Sequence, residues 1–154
     1  MFSNASTGAS VRALIIAIGN RLRADDGVAH RVADLLTGAP IRRVHQLTPE
    51  VAAEMQEADT VIFLDADPAA DHPSLERVQS PAQTAGSLSH SMTPEVVVTM
   101  ASRLYGFQGD AWLCRLYARD FSASPEISPE AAAQLEPAAQ LIQNLLETRC
   151  TSPR

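Results

Sequence analysis

Residues 11–36 restrict the fold more than any other stretch. Val11-Arg12-Ala13-Leu14-Ile15-Ile16-Ala17-Ile18 is a short apolar run that stops at Gly19-Asn20, the pattern of a strand buried on both faces. From Asp25 to Leu36, apolar residues at Val28, Val32, Leu35 and Leu36 recur at helical spacing, and Gly38 with Pro40 ends them. A doubly buried strand leading through a loop into an amphipathic helix is a β-loop-α unit, and this strand is expected at the centre of its sheet.

The rest of the chain repeats the alternation. Ile41 to Leu47 is a weaker strand, and Thr48-Pro49-Glu50 supplies a cap, a proline at the first helical position and an acid in the first turn of a helix reaching about Ala58. Thr60 to Leu64 is a β-branched and apolar strand that delivers Asp65-Ala66-Asp67-Pro68 at its tip. Leu75 to Gln79 fits a short edge strand, and Pro81 to Ser91 is a Ser-, Gly- and Ala-rich loop that carries His90. Thr93-Pro94-Glu95 opens a helix ended by Gly106, Ala111 to Tyr117 is a further strand, and Ser128-Pro129-Glu130 opens a long helix to about Thr148. This is an α/β pattern: one domain over residues 11–148, with a mostly parallel sheet of about five strands covered on both faces, and flexible tails at 1–10 and 149–154. At 154 residues and 45% apolar, such a chain can build its core without metal or disulfide staples.

Composition removes several chemistries. The twelve basic residues are all arginine, so a lysine Schiff base and a lysine-dependent phosphate loop are both excluded. With 18 acids and a formal net charge of -6, the surface repels polyanions, and nucleic acid is not an expected partner. Cys114 and Cys150 are the only thiols, too few for a disulfide framework or a cysteine zinc site. Met1 to Ser10 has neither a basic nor an apolar leader region, and no apolar run approaches a membrane span. The expectation is a cytoplasmic protein with no membrane insertion.

In sheets of this kind ligands bind beyond the C-terminal ends of the strands. Three stretches lie there: Gly19 to Gly27, Asp65 to Pro68, and the His90 loop. The first lacks G-x-G-x-x-G spacing and puts two acids where a phosphate needs free N–H groups, which disfavours a dinucleotide. Asp25 is a candidate N-cap, Asp26 can be explained by the helix dipole, and Asp67 by its place before Pro68. His30, His45 and His72 have no partner at metal-ligand spacing. An aspartate from the first strand tip, another from the third and a histidine from a loop over the same edge nevertheless make a reasonable ligand set for a divalent transition metal with open positions.

The stretch from Ala17 to Val28, with Gly19-Asn20-Arg21-Leu22-Arg23-Ala24-Asp25-Asp26-Gly27 at its heart, resembles the opening signature of the nickel-iron hydrogenase maturation endopeptidases. Val61-Ile62-Phe63-Leu64-Asp65-Ala66 resembles that family's strand ending in Asp-Ala, Ser89-His90 its histidine loop, and Phe121 to Leu135 the approach to its last helix. The resemblance implies a three-layer α/β/α fold and an endopeptidase, aspartic-type or metal-assisted, acting on the hydrogenase large-subunit precursor. Its reaction would be removal of a C-terminal extension after nickel insertion. The nickel-contacting roles fall on Asp26, Asp65 and His90, and either carboxylate is a candidate catalytic base for an attacking water. The nickel would be carried by the substrate, whose cysteines complete the site, rather than held tightly by the free enzyme. Where many family members have a Gly-rich segment, this chain reads His45-Gln46-Leu47-Thr48-Pro49-Glu50, which makes Gln46, Thr48 and Glu50 candidates for substrate contact. No Ser or Cys nucleophile pairs with His90 in the sequence, so a non-catalytic nickel-dependent docking or chaperone module for the same precursor stays open. A small-molecule enzyme on the same kind of sheet is a more distant alternative.

Overall fold

The computed structural model describes residues 11–79 and 92–151. The expected N-terminal tail and the histidine loop from Pro81 to Ser91, His90 included, lie outside the described residues, as do residues 152–154. Among the described residues, five strands form one sheet: β1 Ala13–Ile18, β2 Ile41–Val44, β3 Thr60–Asp67, β4 Ser74–Arg77 and β5 Asp110–Tyr117. Their order is β2-β1-β3-β5-β4, parallel throughout except for β4, which runs antiparallel to β5 at the edge.

The middle strand is therefore β3, not β1 as the sequence suggested. From β1 the chain crosses through α1 (Val28–Ala33) to β2 on one side, then returns through α2 (Pro49–Glu54) to β3 on the other. β5 and β4 add beyond β3, so β3 has parallel partners on both flanks over most of its length.

Side-chain alternation along the strands builds two cores. Ile15, Ala17, Ile62, Leu64 and Leu116 face Val28 and Val32 of α1 and Ile142 of α5 (Leu135–Thr151). Ile16, Val61, Phe63 and Leu113 face the other way, onto Val51, Met55 and Val97, the last from α3 (Pro94–Tyr105). Near-continuous apolar strands are what a sheet covered on both faces requires, and the result is three layers, α/β/α.

The helix boundaries differ from the sequence reading in three places. The segment from Asp25 begins as a 3-10 turn, Ala24–Gly27, before α1, and α2 stops at Glu54 rather than near Ala58. The last helix is two: α4 (Pro129–Ala133) and α5, which runs on to Thr151. Pro137 explains this break, because it has no N–H for the Ala133 carbonyl four residues back and its ring crowds that oxygen. Buried Gln134, at the break, turns its amide to the end of β5, donating to the Tyr117 carbonyl and accepting from the Tyr117 N–H, both at 2.7 Å.

Of the three Ser/Thr-Pro-Glu starts, Thr93 and Ser128 cap their helices through the side chain, whereas Thr48 makes no side-chain cap bond and α2 keeps only its proline at the start. Thr93 Oγ1 accepts from the Val96 N–H at 3.2 Å, Pro94 follows, and Gly106 at φ 73 closes α3. Thr93→Ala is expected to cost about 1 kcal/mol, read as a lower urea midpoint with unchanged slope.

Candidate active site

The connections leave β1 in opposite directions, so the strand order reverses between β1 and β3. Their C-terminal ends flank the crevice where open α/β sheets bind ligands. The Asp26 turn follows β1 and Asp65 lies near the end of β3.

Gly19 makes the turn possible. Its φ is 144, and a Cβ there would lie 1.9 Å from the Asp26 carbonyl oxygen, so only glycine lets the chain fold back this closely. The Gly19 N–H donates to the Val44 carbonyl at 2.9 Å, and its own carbonyl accepts from His30 Nε2 at 2.8 Å. The next N–H, that of Asn20, donates to Asp26 Oδ2 at 2.9 Å, which holds the half-buried Asp26 side chain against the end of β1.

The two adjacent aspartates do different work. Ala24, buried with φ 46, precedes them in a conformation few non-glycine residues adopt. Asp25 is fully buried and does not cap α1. Its carboxylate instead reaches about a hundred residues along the chain, where Ser128 donates twice, from N at 2.7 Å and Oγ at 2.9 Å, and the Arg119 and Asp120 N–H groups donate at 3.0 and 3.1 Å. Burial alone would raise its pKa, but these four donors override it and hold the carboxyl below its usual range.

Asp65 behaves in the opposite way. β3 continues through Asp67, so Asp65 sits inside the strand, half-buried, with Arg115 of β5 as its register partner. Burial pushes its pKa up to about 6, and the negative charge of Asp26 adds to the rise. Asp67 contributes a little more, while the Ala66 N–H and the Arg115 guanidinium work against it. The structure thus brings Asp26 and Asp65 into one electrostatic site. Asp67 is accounted for otherwise, by Arg115 at 3.0 Å and the Ala69 N–H at 2.9 Å. Arg119 fastens the loop after β3 by donating to the Pro68 and Ala70 carbonyls at 2.6 and 2.8 Å.

The loop after β2 meets the site through His45, which lines a cleft with Gly19 and Asn20. Gln46 is exposed. Thr48 and Glu50 engage each other at the start of α2: the Glu50 carboxylate accepts from its own N–H and from the Thr48 hydroxyl, and stays below its usual range. Among the described residues no three metal-capable side chains come together. Cys114 is buried in β5, and burial pushes its thiol up to about 12, which leaves no thiolate at neutral pH.

His30 is a structural residue that spacing did not reveal. Burial is the largest influence on it and lowers its pKa, with Arg21 and Arg43 adding to that effect. The ring is neutral, with Nε2–H given to Gly19 and Nδ1 unpartnered among the described residues. His30 lies two residues from both Val28 and Val32, off their face by helical spacing, so the apolar pattern gave no sign of its burial.

No family model matches the sequence, and no curated protein matches it. Solved structures do. The hydrogenase 2 maturation peptidase of Thaumarchaeota archaeon SCGC_AB-539-E09 is 26% identical, with a TM-score of 0.65 over 88% of this chain and 98% of that one. HybD, the hydrogenase maturating endopeptidase of E. coli, is 17% identical, with a TM-score of 0.67 over 89% and 93%. The [NiFe] hydrogenase maturation protease HycI of Thermococcus kodakarensis KOD1 is 23% identical, with a TM-score of 0.65 over 92% and 95%. The fold is the one these maturation peptidases share, as the motif resemblance implied.

Proposed function

We propose that this chain, which has the fold of the hydrogenase maturation endopeptidases, is a cytoplasmic endopeptidase that removes the C-terminal extension of a nickel-iron hydrogenase large-subunit precursor once nickel is in place. The observation that supports this reading is the meeting of Asp26 and Asp65 at the reversal point of the sheet, on the two stretches that resemble the family's motifs. The nickel is cargo of the substrate. Asp26 and Asp65 offer it two hard oxygens, His90 is the proposed third ligand, and the substrate's own thiolates complete the coordination. Nickel held there polarises nearby groups as a Lewis acid.

A water is the proposed nucleophile, since the buried Cys114 thiol is not ionised. Burial, with the Asp26 charge adding to it, lets Asp65 hold its proton up to about pH 6, which suits that carboxyl to taking up and releasing protons near neutral pH. Asp26→Asn keeps an oxygen for the Asn20 N–H but removes the charge. It is expected to slow cleavage of nickel-loaded precursor by about a hundredfold or more, followed by the mass of the processed subunit. Docking of the precursor without cleavage by the unaltered protein would instead reveal a non-catalytic module. Free enzyme is expected to take up nickel only weakly, because two carboxylates and one imidazole, without a thiolate, make an incomplete site for it. Calorimetry showing tight stoichiometric nickel binding without precursor would overturn the cargo assignment.

A further inference from the structure

Beside the Asp26 turn lies a cleft of about 500 Å³ whose walls include Arg21, Leu22, His30, Arg43, Val44 and His45. Its charge is not balanced locally. Arg21 and Arg43 both bind one carboxylate, Asp34, at 3.0 and 2.8 Å. Each guanidinium has five N–H donors, and Arg43 spends one more on the His30 carbonyl at 3.2 Å, so among the described residues donors remain on both and two positive charges share one carboxylate. Residues 19–45 hold five arginines against three aspartates, Arg42 being paired with Glu54 at 2.7 Å, in a chain of net charge -6. One of those three, Asp25, is spent on buried backbone N–H groups. The apolar part of the wall is equally distinct: Leu22 is 68% exposed, next to Val44.

Spare guanidinium donors beside an open aliphatic surface match a carboxylate attached to an apolar group, and the volume suits a ligand of two or three residues. Asn20 joins this cleft to the carboxylate pair, because it lines the cleft and its N–H holds Asp26. We propose that the cleft is a subsite for the free α-carboxylate of a peptide ending in an apolar residue, here the chain end of the segment to be removed. This rests on the reading above, in which the excised piece carries the substrate's C-terminus. Anchoring that end at Arg21 and Arg43 leads the upstream peptide past Asp26.

The test needs neither nickel nor cleavage. The isotope-labelled full chain is titrated, by NMR, with acetyl-Leu-Leu as the free acid, with its C-terminal amide, and with acetyl-Leu-Glu amide. The free acid is expected to shift the amide signals of residues 19–22 and 44–45 and to bind at least tenfold tighter than the other two. Arg21→Gln, checked for an unchanged fold by thermal melt, should remove that preference, whereas Leu22→Ala should weaken acid and amide alike. Equal binding of acid and amide, or shifts confined to another face, overturns the subsite. Binding of the internal glutamate as tight as the free acid overturns its assignment to a chain end. A protein that cleaves precursor without preferring the acid keeps the protease reading and loses the subsite; a preference without cleavage does the reverse.

Discussion

Asp25→Asn is expected to lower the unfolding free energy by about 3–5 kcal/mol, a drop in melting temperature of roughly 6–20 °C for a chain this size. The carboxylate accepts from three backbone N–H groups and one hydroxyl, with no water to replace it at 0% exposure. An asparagine must aim its amide nitrogen at one set of these donors. It faces the Ser128 N–H or the group around Oδ2, and the opposed donor is left buried and unpaired, at about 1–3 kcal/mol. The remaining bonds lose their charge, which had roughly doubled their strength. Asp25→Ala does worse by stranding all three N–H groups. Because the folded carboxyl titrates below its usual 3.8, its stabilisation is in force above that pH and fades as acid takes the pH through the folded value. Wild type and variant should therefore differ at pH 7 and converge in strong acid, in denaturant titrations run at both. An Asp25→Asn protein as stable as wild type at pH 7 would sink this account.

Asp25 also marks the limit of what the sequence made legible. Strand positions and the three helix starts follow from local patterns, apolar runs and Ser/Thr-Pro-Glu sequences, and the structure has them, with a side-chain cap at Thr93 and Ser128 but not at Thr48. Asp25 and Asp26 are consecutive acids after one strand, and local rules give both the same helix-start role. What separates them is a partner 94 to 103 residues away, which no local pattern records. β3 became the middle strand for a similar reason: apolar runs mark strands but carry no information on which neighbour each will choose. The break at Gln134 was written in the sequence, in the proline three residues later. His30 was not legible as a buried residue, since helical spacing puts it off the Val28 and Val32 face, and its acceptor is a Gly19 carbonyl that only the folded turn presents.

Asp65→Asn is expected to run the other way on stability. A carboxyl that titrates at about 6 in the fold and near 3.8 in the unfolded chain destabilises the folded state by about 3 kcal/mol once ionised. The folded state binds the extra proton between those two values, so stability falls as pH rises through that window and the full penalty applies at pH 7. Asparagine removes the charge, keeps the shape, and retains an oxygen for the Ala66 N–H. The variant should gain up to about 3 kcal/mol, or roughly 6–12 °C, at pH 7 and nothing below pH 4. Asp26→Asn should recover a smaller part of that gain, since the Asp26 charge is the second cause of the rise and burial the first. Both variants are expected to lose the cleavage proposed above. A group that costs stability at working pH, on a strand whose four preceding residues, Val61 to Leu64, are apolar and buried, is one the fold does not need for itself. Thermal melts of wild type and both variants at pH 4 and pH 7, beside the cleavage assay, test this directly: an Asp65→Asn protein no more stable at pH 7 than wild type would mean that Asp65 is not held above its ordinary range, and an Asp26→Asn protein without any gain would mean that the two carboxylates do not share one site.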